Sequence, residues 1–237
     1  MVASAAQMDT PDGTPRRATA AGHWLRWPTV QAQRWLYDAL YRTGLARTMW
    51  DRDTPDEALV RWCDDAPPGR ALDIGCGTGT HAVFLASRGR GVDAIDFSAP
   101  AVEATARRAG DARVDVTSLQ ADVFRYDAPP YALVVDYGCM HNLDPETRAA
   151  YASRVAALTA PGGLFVLMAL APRWRVVDWR VLGPHHIPAR VVGALFERDF
   201  TLEDSAEVAH YWEHAPRVYR PLSGPYQGRA YKLRRRG

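Results

Sequence analysis

The chain has 237 residues, 47% of them hydrophobic, and 29 Lys and Arg stand against 27 Asp and Glu for a net charge of +2. Such a chain can bury the core of one sizeable domain, and so small a charge exerts no general pull toward nucleic acid or an anionic membrane surface. Lys232 is the only lysine, which excludes a Walker A lysine and a central Schiff-base lysine, and Cys63, Cys76 and Cys139 lack any C-x-x-C spacing, which points away from a disulfide framework or zinc cluster.

Free, scattered cysteines suit a reducing cytoplasm, and heavy use of Arg and Ala suggests a bacterial, GC-rich genome. No apolar run is long enough for a transmembrane helix. Residues 1–21 hold Pro, Gly, Thr and the pair Arg16-Arg17 without an apolar h-region, so they read as a disordered tail and not a signal peptide. Residues 22–64 read as an N-terminal helical lid. Leu36, Tyr37, Leu40 and Tyr41 share one helical face, with Arg34, Asp38 and Arg42 as the opposing polar stripe. The segment is either an amphipathic cover for a sheet or a lid whose aromatics line a substrate cavity. Thr54-Pro55-Asp56-Glu57 predicts a capping box at Thr54, with Pro55 at the first helical position of a helix reaching about Asp64.

Ala71 to Ile74 is an apolar run short enough for a buried parallel strand, and it meets Gly75, Gly77 and Gly79 before a helical pattern at 81–88. Gly91 to Ile95 predicts a second strand ending on Asp96, and Ser98 caps a helix from Ala99 with Pro100 in its first turn. Val114 to Gln120 predicts a third strand followed by Asp122, and Tyr131 to Val135 a fourth closing on Asp136. A helix begins near Asp144-Pro145-Glu146, and Pro161-Gly162-Gly163 turns it into a fifth strand from Leu164 to Leu170. Pro188 to about Glu197 reads as a helix, Phe200 to Glu203 begins a sixth strand, and Tyr231-Lys232-Leu233 forms a final edge strand with Arg234-Arg235-Arg236 as a solvated tail. Strands alternating with helices predict a parallel sheet with right-handed crossovers.

Strand, glycine loop and helix together bind nucleotides at the carboxyl ends of strands. The spacing G-x-G-x-G differs from the dinucleotide fingerprint G-x-G-x-x-G, and position 80 is Thr. Asp73, two residues before Gly75, would repel a pyrophosphate and hold an amino group, so the ligand should carry a cation near this turn. Residues 71–80 resemble motif I of the class I S-adenosylmethionine-dependent methyltransferases, and the resemblance covers about residues 50–172. It implies a doubly wound, Rossmann-like α/β fold with a seven-stranded, mostly parallel sheet and helices on both faces. Residues 22–237 would then form one domain, with the cofactor core at 70–172 and the substrate side at 173–237.

The resemblance also implies S-adenosylmethionine as cofactor and S-adenosylhomocysteine as product. Asp73, Gly75, Gly77, Thr78 and Gly79 would form the cofactor loop. Asp96, with Phe97 beside it, would take the ribose hydroxyls, since a carboxylate accepts from two hydroxyls with charge-assisted strength. Asp122 and Val123 would meet the adenine, and Asp136 would lie near the transferable methyl. The stretch Val134 to Leu143, with Arg148, Tyr151 and Pro161-Gly162-Gly163, looks like the small-molecule, thiopurine-methyltransferase-like group. Trp50-Asp51 is similar to that group's N-terminal element over the cofactor, although Met49 stands where the group usually has Pro.

By that resemblance the substrate is a small-molecule nucleophile methylated at O, N or S, with natural-product biosynthesis as a setting. Tyr137 and Trp50 are the candidates for cation–π contact with the sulfonium. His141 is either a general base or only a backbone partner after its strand. Tyr37, Tyr41, Tyr137, Cys139, His141, His185 and His186 are the candidate substrate contacts. No nucleic-acid, membrane or metal partner is expected, and the chain is expected as a monomer or homodimer. Two alternatives stay open: a fold-mate that binds the cofactor without transferring its methyl, and a methyltransferase of RNA or protein. Asp127-Ala128-Pro129-Pro130-Tyr131 resembles the motif of amino-methylating nucleic-acid enzymes, but it precedes the fourth strand where that motif follows it.

Overall fold

A computed structural model describes residues 27–46, 51–171, 185, 187–208 and 227–237. The expected tail at 1–21, Trp50 and His186 lie outside the described residues. Five strands run parallel: β1 (Ala71–Ile74), β2 (Val92–Asp96), β3 (Val116–Gln120), β4 (Tyr131–Tyr137) and β5 (Thr159–Ala171). Two antiparallel strands, β6 (Phe200–Val208) and β7 (Gln227–Arg235), complete the order β3-β2-β1-β4-β5-β7-β6. The winding reverses between β1 and β4, so a crevice opens outside their carboxyl ends.

Helices cover both faces, which is why β1 and most of β4 read as unbroken apolar runs. On one face Leu72, Ile74, Val134 and Phe165 pack with α5 (Arg148–Leu158) and α6 (Ala189–Phe196). On the other, Ala71, Leu133, Val135 and Val166 pack with α2 (Glu57–Trp62) and α3 (Thr80–Ser87). α4 (Ala99–Ala112) lies beside α3 and joins β2 to β3. Of the segment expected as a lid, α1 (Trp27–Arg42) crosses the carboxyl rim, whereas α2 belongs to the layer covering the sheet. Among the described residues no helix is long and apolar enough to cross a membrane.

Several local expectations need correction. The cap of α2 is Asp56, not Thr54: Asp56 Oδ1 accepts from the Ala58 N–H at 2.8 Å. Ser98 precedes α4 as expected, yet its hydroxyl leaves the helix end and donates to Asp38 Oδ1 at 2.6 Å. β5 starts at Thr159, before Pro161-Gly162-Gly163, because Tyr131 pairs with Thr159 and the register then shifts to Leu133 with Leu164. β7 is not an edge strand; it slots between β5 and β6. Arg234 and Arg235 are therefore strand residues. Arg234 Nε donates to Glu203 Oε1 at 2.9 Å, and the Arg235 guanidinium lies 5.7 Å from the Phe200 ring centre. The faces of α1 also differ from the pattern: Trp35 is 76% exposed and Leu36 41%, while Asp38 turns inward. α1 crosses polar loop ends and not an apolar sheet face, so hydrogen-bonding residues are what it presents to the protein.

The approach to β1 is organised by Arg90. Its guanidinium donates to four carbonyls, those of Pro67, Gly69, Cys63 and Ala66, at 3.0–3.2 Å. This closes the end of α2 and the Pro-Pro-Gly turn against the strand that feeds the glycine loop. Arg90→Ala should destabilise the protein by about 2 kcal/mol, as expected for charge-assisted bonds at a half-buried site. Arg90→Lys should recover less than half of that, because an ammonium lacks the planar fork; urea unfolding midpoints test both.

Candidate active site

Gly75, Gly77 and Gly79 have φ of 68°, 57° and 84°, which other residues adopt at a penalty. Space is also closed at two of them. A Cβ on Gly79 would stand 2.8 Å from Thr105 Cγ2, and one on Gly75 would stand 2.9 Å from Cys139 Cβ. The turn can thus hug α4 and the segment after β4 at once. A Cβ on Gly77 would meet the Tyr41 hydroxyl at 3.0 Å, so α1 lays that phenol over the loop.

The acids stand at adjacent strand ends. Asp96, at the end of β2, accepts from the Gly77 N–H on Oδ2 at 3.0 Å and from the Ser98 N–H on Oδ1 at 2.9 Å. A carboxylate can accept further bonds beyond these, which suits it to ribose-type hydroxyls. Burial pushes its pKa up to about 6. Asp73 is 1% exposed, and its Oδ2 is buried with no hydrogen-bond partner. Burial, with the charges of Asp136 and Asp96 adding, pushes its pKa up to about 7. Asp136 turns inward: its carboxylate accepts from the Cys139 and Met140 N–H groups at 2.6 and 2.9 Å and from the Tyr151 hydroxyl. Burial holds its pKa at about 6. Its side chain therefore shapes the loop after β4 and does not project into the crevice. Asp122 is exposed and caps its own turn through the Phe124 N–H at 3.0 Å, with Val123 buried behind it.

The other sequence-predicted residues fall in four places. Tyr37, on α1, lies 5.7 Å from the Phe97 ring and donates to Asn142 Oδ1 at 2.8 Å. α1 thus bridges the loops after β2 and β4. Cys139 sits against Gly75, and burial pushes its thiol well up, so it stays protonated. His141 is 2% exposed, and its carbonyl accepts from the His185 N–H at 2.6 Å, which joins two segments far apart in sequence. Tyr137, at the end of β4, is half-buried.

Sequence reasoning missed four residues. Asp51 accepts from the Thr78 hydroxyl, and its Oδ2 is buried without a partner. Arg108, on α4, donates to Thr80 Oγ1 at 2.8 Å and to Thr78 Oγ1 at 3.2 Å, and pairs with Asp53 at 3.3 Å. It straps residues 51–53 across the glycine loop. Asp56 and His81 meet Tyr137: the Tyr137 hydroxyl donates to Asp56 Oδ2 at 3.3 Å, and the His81 ring centre is 4.3 Å from the Tyr137 ring centre. Asp51 follows Trp50 in a recognised element and could have been found from it. The others carry no sequence signal, since each is brought in by packing.

Residues 71–163 match the family model described as a methyltransferase domain. The strand order of the sheet that holds them is the one a doubly wound fold with a β1–β4 switch point requires. Thiocyanate methyltransferase 1 of Brassica oleracea is 31% identical over 126 residues, 51% of this chain and 56% of that protein. Ribosomal RNA small subunit methyltransferase C of Chromohalobacter salexigens is 36% identical over 133 residues, 50% of this chain and 38% of that protein. The chain thus spans about half the length of these curated relatives, or less. Among solved structures, the 1,6-didemethyltoxoflavin-N1-methyltransferase of Burkholderia thailandensis shares the fold with a TM-score of 0.70 at 20% identity, covering 98% of this chain and 100% of that one.

The glycine loop and the acids each set a measurable outcome. Gly79→Ala combines a strained φ with a clash against Thr105 and should lower stability by about 3 kcal/mol or more, read from chemical unfolding. Asp73, Asp96 and Asp136 stay protonated in the folded state well above the ordinary 3.8 at which the unfolded chain ionises. The folded protein then binds more protons than the unfolded one from about pH 4 to about pH 7, and stability falls as pH rises through that window. Asp73→Asn should flatten the fall and raise the melting temperature at about pH 8, where the native carboxylate is ionised with one buried oxygen lacking a partner.

Proposed function

We propose that the chain is an S-adenosylmethionine-dependent methyltransferase acting on an O, N or S atom of a small molecule, with natural-product biosynthesis as its setting and a reducing cytoplasm suiting its free thiols. The observation that carries the reading is the acidic bowl at the switch point. Buried Asp73 and Asp51 each leave one oxygen without a partner beside three glycines that keep the floor bare. A buried acceptor without a partner is unfavourable until a donor or cation reaches it. A sulfonium that also carries an ammonium meets that need, and a pyrophosphate does not.

The residues present therefore fit the cofactor. Asp96, with Phe97 beside it, would hold the ribose, and Asp122 and Val123 would border the adenine. Asp73, the backbone at Gly75, Gly77 and Gly79, and Thr78 would border the methionine end, with Asp136 supporting the loop after β4. When bound, S-adenosylmethionine supplies an activated methyl group open to in-line displacement. The chain's own work is alignment, which in favourable cases is worth about 7–11 kcal/mol. Tyr37 and Tyr41 on α1 would close the substrate side, and Cys139 and His185 would border it from the loop after β4 and the described part of the 173–237 segment. Tyr137 and His141 are the groups at the end of β4 suited to meet the nucleophile's proton.

The test is direct. Calorimetry should show S-adenosylmethionine binding. A panel of thiols, phenols and heterocyclic amines, read by mass, should yield a product heavier by one methylene together with S-adenosylhomocysteine. Asp96→Ala should weaken cofactor binding by about 10-fold or more, since the ribose loses a charged acceptor. Unchanged affinity in that variant removes Asp96 from the ribose site.

A further inference from the structure

We infer that Asp56 is the terminal proton acceptor of a relay through Tyr137, a role that rests on the methyl-transfer reading. Asp56 is 8% exposed, and its two oxygens are divided between two tasks. Oδ1 caps α2 by accepting from the Ala58 N–H at 2.8 Å, while Oδ2 accepts from the Tyr137 hydroxyl at 3.3 Å. Contacts of this length between catalytic groups shorten in the reactive complex. His81 completes the arrangement. Its ring packs 4.3 Å from that of Tyr137 at 38°, and its Nε2 accepts from the Asp56 N–H at 3.4 Å. The phenol is thus held at both ring and hydroxyl.

A second tyrosine–aspartate pair in the same fold shows why this one is singled out. The Tyr151 hydroxyl donates to Asp136, but Tyr151 is 0% exposed and no guest can reach it. Tyr137 is half-buried and stands at the carboxyl end of β4, beside the β1–β4 switch point. The electrostatics agree. Arg52 and Glu57 face Asp56 from its own segment, Tyr137 faces it from β4 and His81 from α3. Burial outweighs Arg52 and raises the carboxyl above its ordinary value, which makes it a stronger base once ionised. Burial, with Arg108 of α4 and Arg52 adding, pushes His81 down to about 4, so the imidazole is neutral and accepts from backbone without competing for the carboxylate.

The step balances. The nucleophile's proton passes to the Tyr137 oxygen as the Tyr137 proton passes to Asp56 Oδ2. The nucleophile's lone pair forms the new bond to the methyl carbon, the carbon–sulfur bond breaks, and its electron pair stays on sulfur. Solvent then takes the proton from Asp56.

Two readouts test the relay. In the protein without cofactor, the [13Cζ]tyrosine resonance of Tyr137, assigned by its loss in Tyr137→Phe, should shift as Asp56 ionises. The shift should vanish in Asp56→Asn, whose amide oxygen still caps α2. In single turnover with S-adenosylmethionine, Asp56→Asn should slow transfer by about 100-fold or more and abolish the acid limb of the pH profile. Cofactor affinity should stay within about twofold, and Asp56→Glu should restore most of the rate. A Tyr137 resonance indifferent to Asp56, a wild-type rate in Asp56→Asn, or an acid limb that disappears in His141→Ala instead would overturn the relay alone. A wild-type protein that makes no product from any nucleophile defeats the methyl-transfer reading and the relay with it.

Discussion

The bond from the Gly77 N–H to Asp96 Oδ2 is the contact around which the crevice is arranged. It ties the glycine loop after β1 to the end of β2. It can form only because the loop is free to turn at positive φ and because β1 and β2 lie side by side in register. With that tie in place, the carboxyl ends of β1, β2 and β4 become one acidic rim. Burying these carboxylates is unfavourable in a bare fold: desolvation raises the pKa values of Asp73, Asp96 and Asp136, and at Asp73 the charges of Asp136 and Asp96 add to it. A site strained in this way is suited to a cationic guest.

Two straps cross the rim and give the site its enclosure. α1 reaches from Asn142 after β4, through Gly77, to Ser98 after β2. Arg108 draws residues 51–53 over Thr78 and Thr80 from the opposite side. Both are polar contacts between short segments, not broad apolar packing. Such elements sit at the low-stability end of a fold, where opening for a ligand is cheapest. The sheet beneath is different in kind, with its central strands buried on both faces.

The acids also divide by role, though the sequence presents them as equals at strand ends. Asp136 accepts from the Cys139 and Met140 N–H groups and from Tyr151, so it holds the loop after β4 that carries Cys139 and His141. Asp96 ties two backbone N–H groups and can accept further bonds, and Asp73 keeps an oxygen without a partner. One residue type at equivalent positions thus supports, binds or waits, according to which donors the neighbouring backbone offers.

The parallel core was legible in the chain itself. Short apolar runs, glycines after the first, and Asp96, Asp122 and Asp136 closing the next three segments follow from strand and turn chemistry that operates within about ten residues. The glycine loop was legible for the same reason, because the freedom to take positive φ belongs to the residue itself, whereas the crowding by Thr105 and Cys139 came only with the packed fold. Distance-dependent features were not. Nothing local says that β7 slots between β5 and β6, that Arg234 and Arg235 pair inside a strand, or that Asp38 turns inward on α1. The meeting of Asp56, His81 and Tyr137 is of the same kind, since Asp56 and Tyr137 stand 81 residues apart. Period and propensity describe a residue's neighbours along the chain, whereas a partner for a buried hydroxyl or carboxylate is chosen by whichever element the packed sheet and its helices bring alongside.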